Sequence, residues 1–243
     1  MSHLHIPDGV LPIWLWLSGL LLMTLLLAAA LSSARRKDLR RRLPLLAFTA
    51  ALMLIGMSLE IVPIAYHLNL SVLAGILLGP AMAFIASFLV NFMLGLVGHG
   101  GLTVVGLNTL IVGLETLSGY WLFRLFSRFL KPALAAGISV VITLFLTTSL
   151  VIGVVALARL NPAEMGEAFQ SGEWKEKGLL SFPGGEGHHH QEEAAGHGRS
   201  PISLLTFAAG AYLLGSIGWV LEALMVASIV HFVKQVKPEM ISP

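Results

Sequence analysis

The chain begins MSHLHIPDGV. Two histidines, His3 and His5, lie close to the start and directly before an apolar run. Imidazole is the commonest metal ligand and coordinates through a neutral ring nitrogen. A free amine is a further nitrogen donor, readily deprotonated by a metal because its ordinary pKa is about 8. With Met1 retained, the amine, two amide nitrogens and the His3 imidazole can wrap one ion in a plane. With Met1 removed, which the small Ser2 favours, the amine, one amide and one imidazole supply three nitrogens. A histidine from elsewhere, such as His67, then completes four. Planar nitrogen coordination suits Ni(II) or Cu(II). Plain solvation of two terminal histidines is the competing reading.

Other residues could join this chemistry. His67 follows an apolar run, and His99 sits in GHGG, residues 98–101. The stretch GEGHHHQEEAAGHG holds His188, His189, His190 and His197. It is expected either to gather metal or to bind it weakly and adventitiously. Glu60, Glu115 and Glu222 stand in apolar surroundings. Ionisable groups inside a membrane span are costly and are functional candidates by default. A structural role is expected of all three, with Glu60 near the outer half of its span and Glu115 and Glu222 paired with polar neighbours. Cysteine is absent, so any metal site uses nitrogen and oxygen donors. There is no GxxxxGK[ST] phosphate loop and no Ser-His-Asp signature. The chain is therefore expected to be unable to energise transport by itself with ATP; that it is no enzyme and needs no cofactor is what the family resemblance given below implies.

The elements that position these residues are membrane helices. Hydrophobic residues make up 56% of the 243 and charged residues 12%, where a soluble domain carries about 25% charged. The mean hydropathy is +0.84. Apolar runs cover 10–31, 43–66, 68–97, 102–123, 132–158 and 201–233. A span needs about 20 residues to cross about 30 Å of hydrocarbon. Gly79-Pro80 splits the third run into a short helix and a full one, because proline lacks a backbone donor. The short piece, 68–78, cannot cross alone and must be packed inside the protein or follow a re-entrant path.

Charge sets the orientation. Arg35, Arg36, Lys37, Arg40, Arg41, Arg42, Arg124, Arg128, Lys131, Lys234 and Lys237 fall on one side. Only Arg159, Lys175, Lys177 and Arg199 fall on the other. Positive-inside bias puts the N-terminus outside and the C-terminus in the cytoplasm. Basic residues follow the first apolar run instead of preceding it, so it is expected to be an anchor and not a cleaved signal. The expectation is an all-α integral membrane protein of about seven transmembrane helices, one of them short. It forms a single domain, 1–243, with a polar, His/Glu-rich extracytoplasmic loop at 159–200. So little polar surface argues against nucleic acid as a partner. The topology gathers His3, His5, His67 and His99 on the outer face. The small-residue stretches 28–34 and 47–51 are expected to pack within the bundle.

LHIPDGVLP, residues 4–12, looks like "MHIPDG-L". HLNLSVLAGILLGP, residues 67–80, looks like "HLLGG-LAAILLGP". GHGGLTVVGLNT, residues 98–109, looks like "GHGGLT-LGAN". On these three motifs, in order, the chain resembles the CbiM/NikM family. That family is the substrate-binding membrane component of energy-coupling-factor cobalt and nickel transporters. The resemblance covers residues 1–157 and extends to the last span.

It implies an outer-face site for Co(II) or Ni(II), built from the N-terminal amine, the histidine beside it and a second histidine that maps onto His67. The candidate ligands are thus Met1, Ser2, His3, His5 and His67. His99 maps to a glycine-rich histidine beside the site or in a gating loop. Asn108 matches a polar residue that supports the site by hydrogen bonding. The implied partners are a CbiQ/NikQ-like membrane coupling subunit, two CbiO/NikO-like ATPase subunits and a small CbiN-like subunit, in the cell (inner) membrane. The chain departs from the pattern at its start. His3 chelates after Met removal, or His5 does so from inside the chain, or translation begins at position 4. Residues 64–66 also differ from the family's "GTSG". Two other readings stay open: a secondary divalent-metal transporter coupled to protons through the intramembrane acids, and a membrane-embedded metal-dependent enzyme.

Overall fold

Away from water, each backbone N–H and C=O must find its partner inside the chain, and long apolar runs do this as helices. The computed structural model describes residues 13–35, 39–58, 60–61, 66–98, 100–157 and 204–241. Within these, the runs fold into α1 (Ile13–Arg35), α2 (Leu39–Ser58), α3 (Ser71–Leu78), α4 (Pro80–Leu96), α5 (Val105–Phe126), α6 (Pro132–Leu157) and α7 (Leu204–Val236). A 3-10 turn, Pro238–Met240, follows α7. Ile13–Ala34, Pro132–Gly153 and Ala208–Val236 are each long and apolar enough to cross a membrane, whereas Arg42–Ser58 and Pro80–Leu96 are shorter apolar stretches. α5 has 22 residues, about 33 Å at about 1.5 Å per residue. Trp14, Leu21, Leu25, Leu213 and Leu224 are exposed on the outer surfaces of α1 and α7. This protein is a multi-pass membrane protein, helical among the described residues apart from one short strand pair.

The short helix α3 is the centre of the bundle. Every residue of it except Leu77 is buried. α2, α4, α5, α6 and α7 all touch it. It is thus packed inside the protein, which lets an eight-residue helix exist far below the length of a span. Gly79 ends it with φ of 75°, a conformation that glycine adopts without steric cost. The Gly79 N–H donates to the Gly75 carbonyl at 3.0 Å, and the Gly79 carbonyl accepts from Ala83 N–H at 3.0 Å. Pro80 opens α4, where its fixed φ fits and its missing N–H would have had no partner. The Gly79-Pro80 break therefore joins two helices.

The second apolar run ends earlier than expected. α2 stops at Ser58, not at 66. Residues 60–67 contain a short antiparallel pair, β1 (Glu60–Ile61) with β2 (Tyr66–His67), Glu60 opposite His67. Pro63 lies between the strands in sequence and cannot continue a helix. Glu60 therefore belongs to β1, outside any helix. Of the small residues in α1 and α2, Ala30, Ala34 and Thr49 are buried, while Ala28, Ala29, Ala47 and Ala51 face outward. Internal packing accounts for one face of each stretch.

α7 packs chiefly on α6. Phe145, Tyr212 and Trp219 form an aromatic cluster, with ring centroids 5.5 to 6.2 Å apart. The hydroxyls of Ser149 and Tyr212 lie 2.7 Å apart. Hydrogen bonds between membrane helices average about 0.6 kcal/mol, so Tyr212→Phe should lower Tm by about 1–2 °C. Trp219 is 5% exposed, and Trp219→Ala should cost about 3–5 kcal/mol. Thermal unfolding in detergent compares the two. A larger loss for Tyr212→Phe than for Trp219→Ala would show that the hydroxyl pair contributes more than ring packing to joining α6 and α7.

Candidate metal site and the turn that carries His67

His67 ends β2 and is half-buried. The next three residues fix its place. Gly56 on α2 faces the Leu68 carbonyl so closely that an added methyl would collide with it. Absence of a side chain at Gly56 therefore lets α2 lie directly against the residue after His67. Leu70 has φ of 56° and ψ of 15°, a left-handed conformation that costs a residue with a Cβ about 1–2 kcal/mol. Such strain persists only where surrounding structure over-determines it.

Glu222 and Glu115 are the surrounding structure. Glu222, on α7, accepts hydrogen bonds from the backbone N–H of Leu70 at 3.0 Å and of Asn69 at 3.3 Å, one to each carboxylate oxygen. Successive N–H groups around a left-handed residue form a concavity that suits an anion. They also open α3, so the carboxylate satisfies donors that no local side chain caps. Glu115, on α5, accepts from Asn69 Nδ2 and, at 3.0 Å, from Ser71 Oγ. Asn69 Nδ2 also donates to Ser71 Oγ at 3.0 Å, and Thr147 on α6 is a further partner of Glu115. Glu115 is 1% exposed and Glu222 is fully buried. The expected pairing of these two acids with polar neighbours is what the structure contains. At the opposite end of α3, Arg42 Nη1 reaches the Leu78 carbonyl at 3.5 Å. The helix thus has an acid at its N-terminus and a base at its C-terminus, complementing its dipole. His67 and the basic residue Arg42 lie at opposite ends of it.

Asn108 is buried in the first turn of α5, its N–H donating to the Val104 carbonyl at 3.0 Å. Met1, Ser2, His3, His5, His99, His188, His189, His190 and His197 lie outside the described residues. Among the described residues, the histidines are His67 and His231, and no group of three or more His, Asp or Glu side chains could hold a metal ion. His231, on the exposed side of α7, pairs with Gln235 at 3.1 Å.

Sequence reasoning passed over Gly56, Asn69, Leu70 and Ser71. The NLS triplet before an apolar helix was a weak local signal, for it places polar groups where orphan N–H groups begin. Gly56 and the capping role of Glu222 carry no local signal, because their partners are distant in the chain.

Comparison with known proteins agrees with this architecture. Residues 5–240 match the model of the CbiM family, described as the cobalt uptake substrate-specific transmembrane region. A protein of Halobacterium salinarum named "Putative cobalt transport protein CbiM" is 30% identical over 162 residues, covering 62% of this chain and 73% of its own length. The crystal structure of a truncated transition metal transporter matches with a TM-score of 0.67 at 20% identity, covering 95% of this chain and 98% of that one. A second crystal structure, of a transition metal transporter, gives a TM-score of 0.67 at 20% identity, covering 96% and 93%. At that identity the two structures speak for the fold. The match across nearly the whole chain carries the rest: this protein belongs to the CbiM family of cobalt uptake substrate-specific transmembrane components.

Proposed function

We propose that this chain captures Co(II) or Ni(II) on the outer side of the cell membrane and acts as the substrate-specific component of an energy-coupling-factor transporter. The family match over residues 5–240 carries this reading. The buried anchoring of the turn after His67 supports it. The ion is substrate, held by the amine and amide nitrogens of the N-terminus (Met1, Ser2), by His3 or His5, and by His67. His99 and Asn108 support or gate the site, and the His-rich loop with His188, His189, His190 and His197 gathers metal. Residues 1–243 act as one transmembrane domain. The basic residues around Arg42 face the cytoplasm, with His67 toward the outside, in keeping with the positive-inside bias. The coupling subunit, two ATPases and a small accessory subunit perform ATP hydrolysis and movement. Feeding of cobalamin synthesis or nickel enzymes follows from that import.

Two measurements test this. Cobalt uptake by cells expressing the chain with and without its ATPase subunits separates ATP-driven import from a secondary transporter. Uptake that persists without them would end the energy-coupling assignment. The mature N-terminal residue should also be determined, with Ni(II) titration of His3→Ala, His5→Ala and the N-terminally acetylated protein. Acetylation is expected to abolish tight binding, together with one of the two substitutions. Full affinity in all three would remove the N-terminus from the site.

A further inference from the structure

Residues 67–71 are held from several sides at once. α2 presses on Leu68 through Gly56. Both oxygens of Glu222 are committed to the N–H groups of Asn69 and Leu70. Glu115 takes the Asn69 and Ser71 side chains. Two fully buried carboxylates from helices far apart in sequence are an expensive way to close one turn. Glycine takes up the left-handed conformation without help. This chain has a leucine in that conformation and two acids around it.

We propose that Glu222 and Glu115 are positioning residues for metal capture: by clamping the Asn69–Ser71 turn in its left-handed form, they hold His67 where an incoming ion meets it. This rests on the reading that His67 binds the ion. Neither carboxylate touches the metal. Their effect passes through the three residues that separate His67 from the buried start of α3. A preorganised donor spares the ion the ordering that binding would otherwise impose. The acids take over a task that a glycine would perform by conformational freedom, and the clamp ties the donor to α5 and α7 at once.

The test uses the full chain in detergent or nanodiscs, titrated with Ni(II) and with Co(II), with Tm followed in parallel. Glu222→Gln keeps the shape but presents an amide N–H to one of the two backbone donors. It is expected to weaken binding by about 10–100-fold, the range for groups that orient a ligand. Asn69→Ala, which keeps the Glu222 grip, is expected to weaken it less, by about tenfold. Adding Leu70→Gly to Glu222→Gln should restore most of the lost affinity, because glycine needs no clamp. A purely structural role would lower Tm and leave the affinity of the folded protein unchanged.

Folded E222Q and N69A that bind within about twofold of the parent would overturn the proposal, as would an E222Q defect that L70G leaves untouched. Where E222Q alone does not fold, E222Q/L70G and N69A decide by the same criteria. His67→Ala runs beside them. If it binds like the parent, the reading of His67 as a ligand is wrong. If it loses binding while E222Q keeps it, the clamp alone is wrong.

Discussion

Replacing His67 with alanine is expected to weaken Ni(II) and Co(II) binding by more than about 100-fold, or about 2.7 kcal/mol. Removal of a group that merely orients a ligand costs about 10–100-fold, and a lost donor atom costs more. The site has no spare among the described residues, where no cluster of His, Asp or Glu stands ready to replace it. The variant should fold, because His67 is half-buried on a short strand and outside the core cluster. Titration calorimetry with each metal, at several pH values, is the measurement. Affinity should fall as pH is lowered in the parent, since amine and imidazole donors must lose their protons to bind. His67→Ala with parent-like affinity at neutral and higher pH, where the imidazole is unprotonated, would take His67 out of the site. The fitted stoichiometry separates donor loss from a folding defect, because a misfolded fraction lowers stoichiometry and leaves the affinity of the remainder alone.

Gly56→Val should damage both the packing of α2 and the metal affinity. The side chain would run into the Leu68 carbonyl, which is backbone and cannot rotate away. Overpacking of this kind costs about 1–3 kcal/mol, sometimes more. Relief requires moving either α2 or the 67–69 segment. α2 is fixed by Met53 and Met57, buried in the core, so the segment with His67 yields. If about 1.4 kcal/mol of the strain is relieved in that way, metal affinity falls about tenfold. Gly56→Ala should show the same effect in smaller measure. The check is Tm together with Ni(II) affinity for both variants. A drop in Tm with affinity intact would place the strain in α2 and leave His67 unmoved.

The order of helices was legible in the chain because each long apolar run has one way to satisfy its backbone in lipid. The Gly79-Pro80 break was legible because both residues act locally: one permits φ of 75° and the other begins a helix. The end of α2 was misplaced by eight residues, 58 against 66, since apolar character continues through Ile61 and Val62 whether the backbone is helical or extended. Hydropathy does not distinguish the two; Pro63 was the warning. The N-terminal nitrogens, His3, His5 and His67 could be named as candidate donors because coordination chemistry depends on residue type and spacing.

By itself, then, the sequence determined the class of protein and the family motifs, and it offered the candidate nitrogen donors, all of which depend on composition or on neighbours along the chain. Only the tertiary structure decided what Glu115 and Glu222 do. As residues in apolar runs they are expected to pair with polar neighbours, with proton coupling as the rival, but the chain does not say which neighbours. Folding places Glu222 against N–H groups 152 and 153 positions away, and Glu115 against side chains 44 and 46 away. A buried carboxylate has to find donors wherever the packed helices present them. Here they are presented by a strained turn beside His67, and no pattern along the chain encodes that meeting.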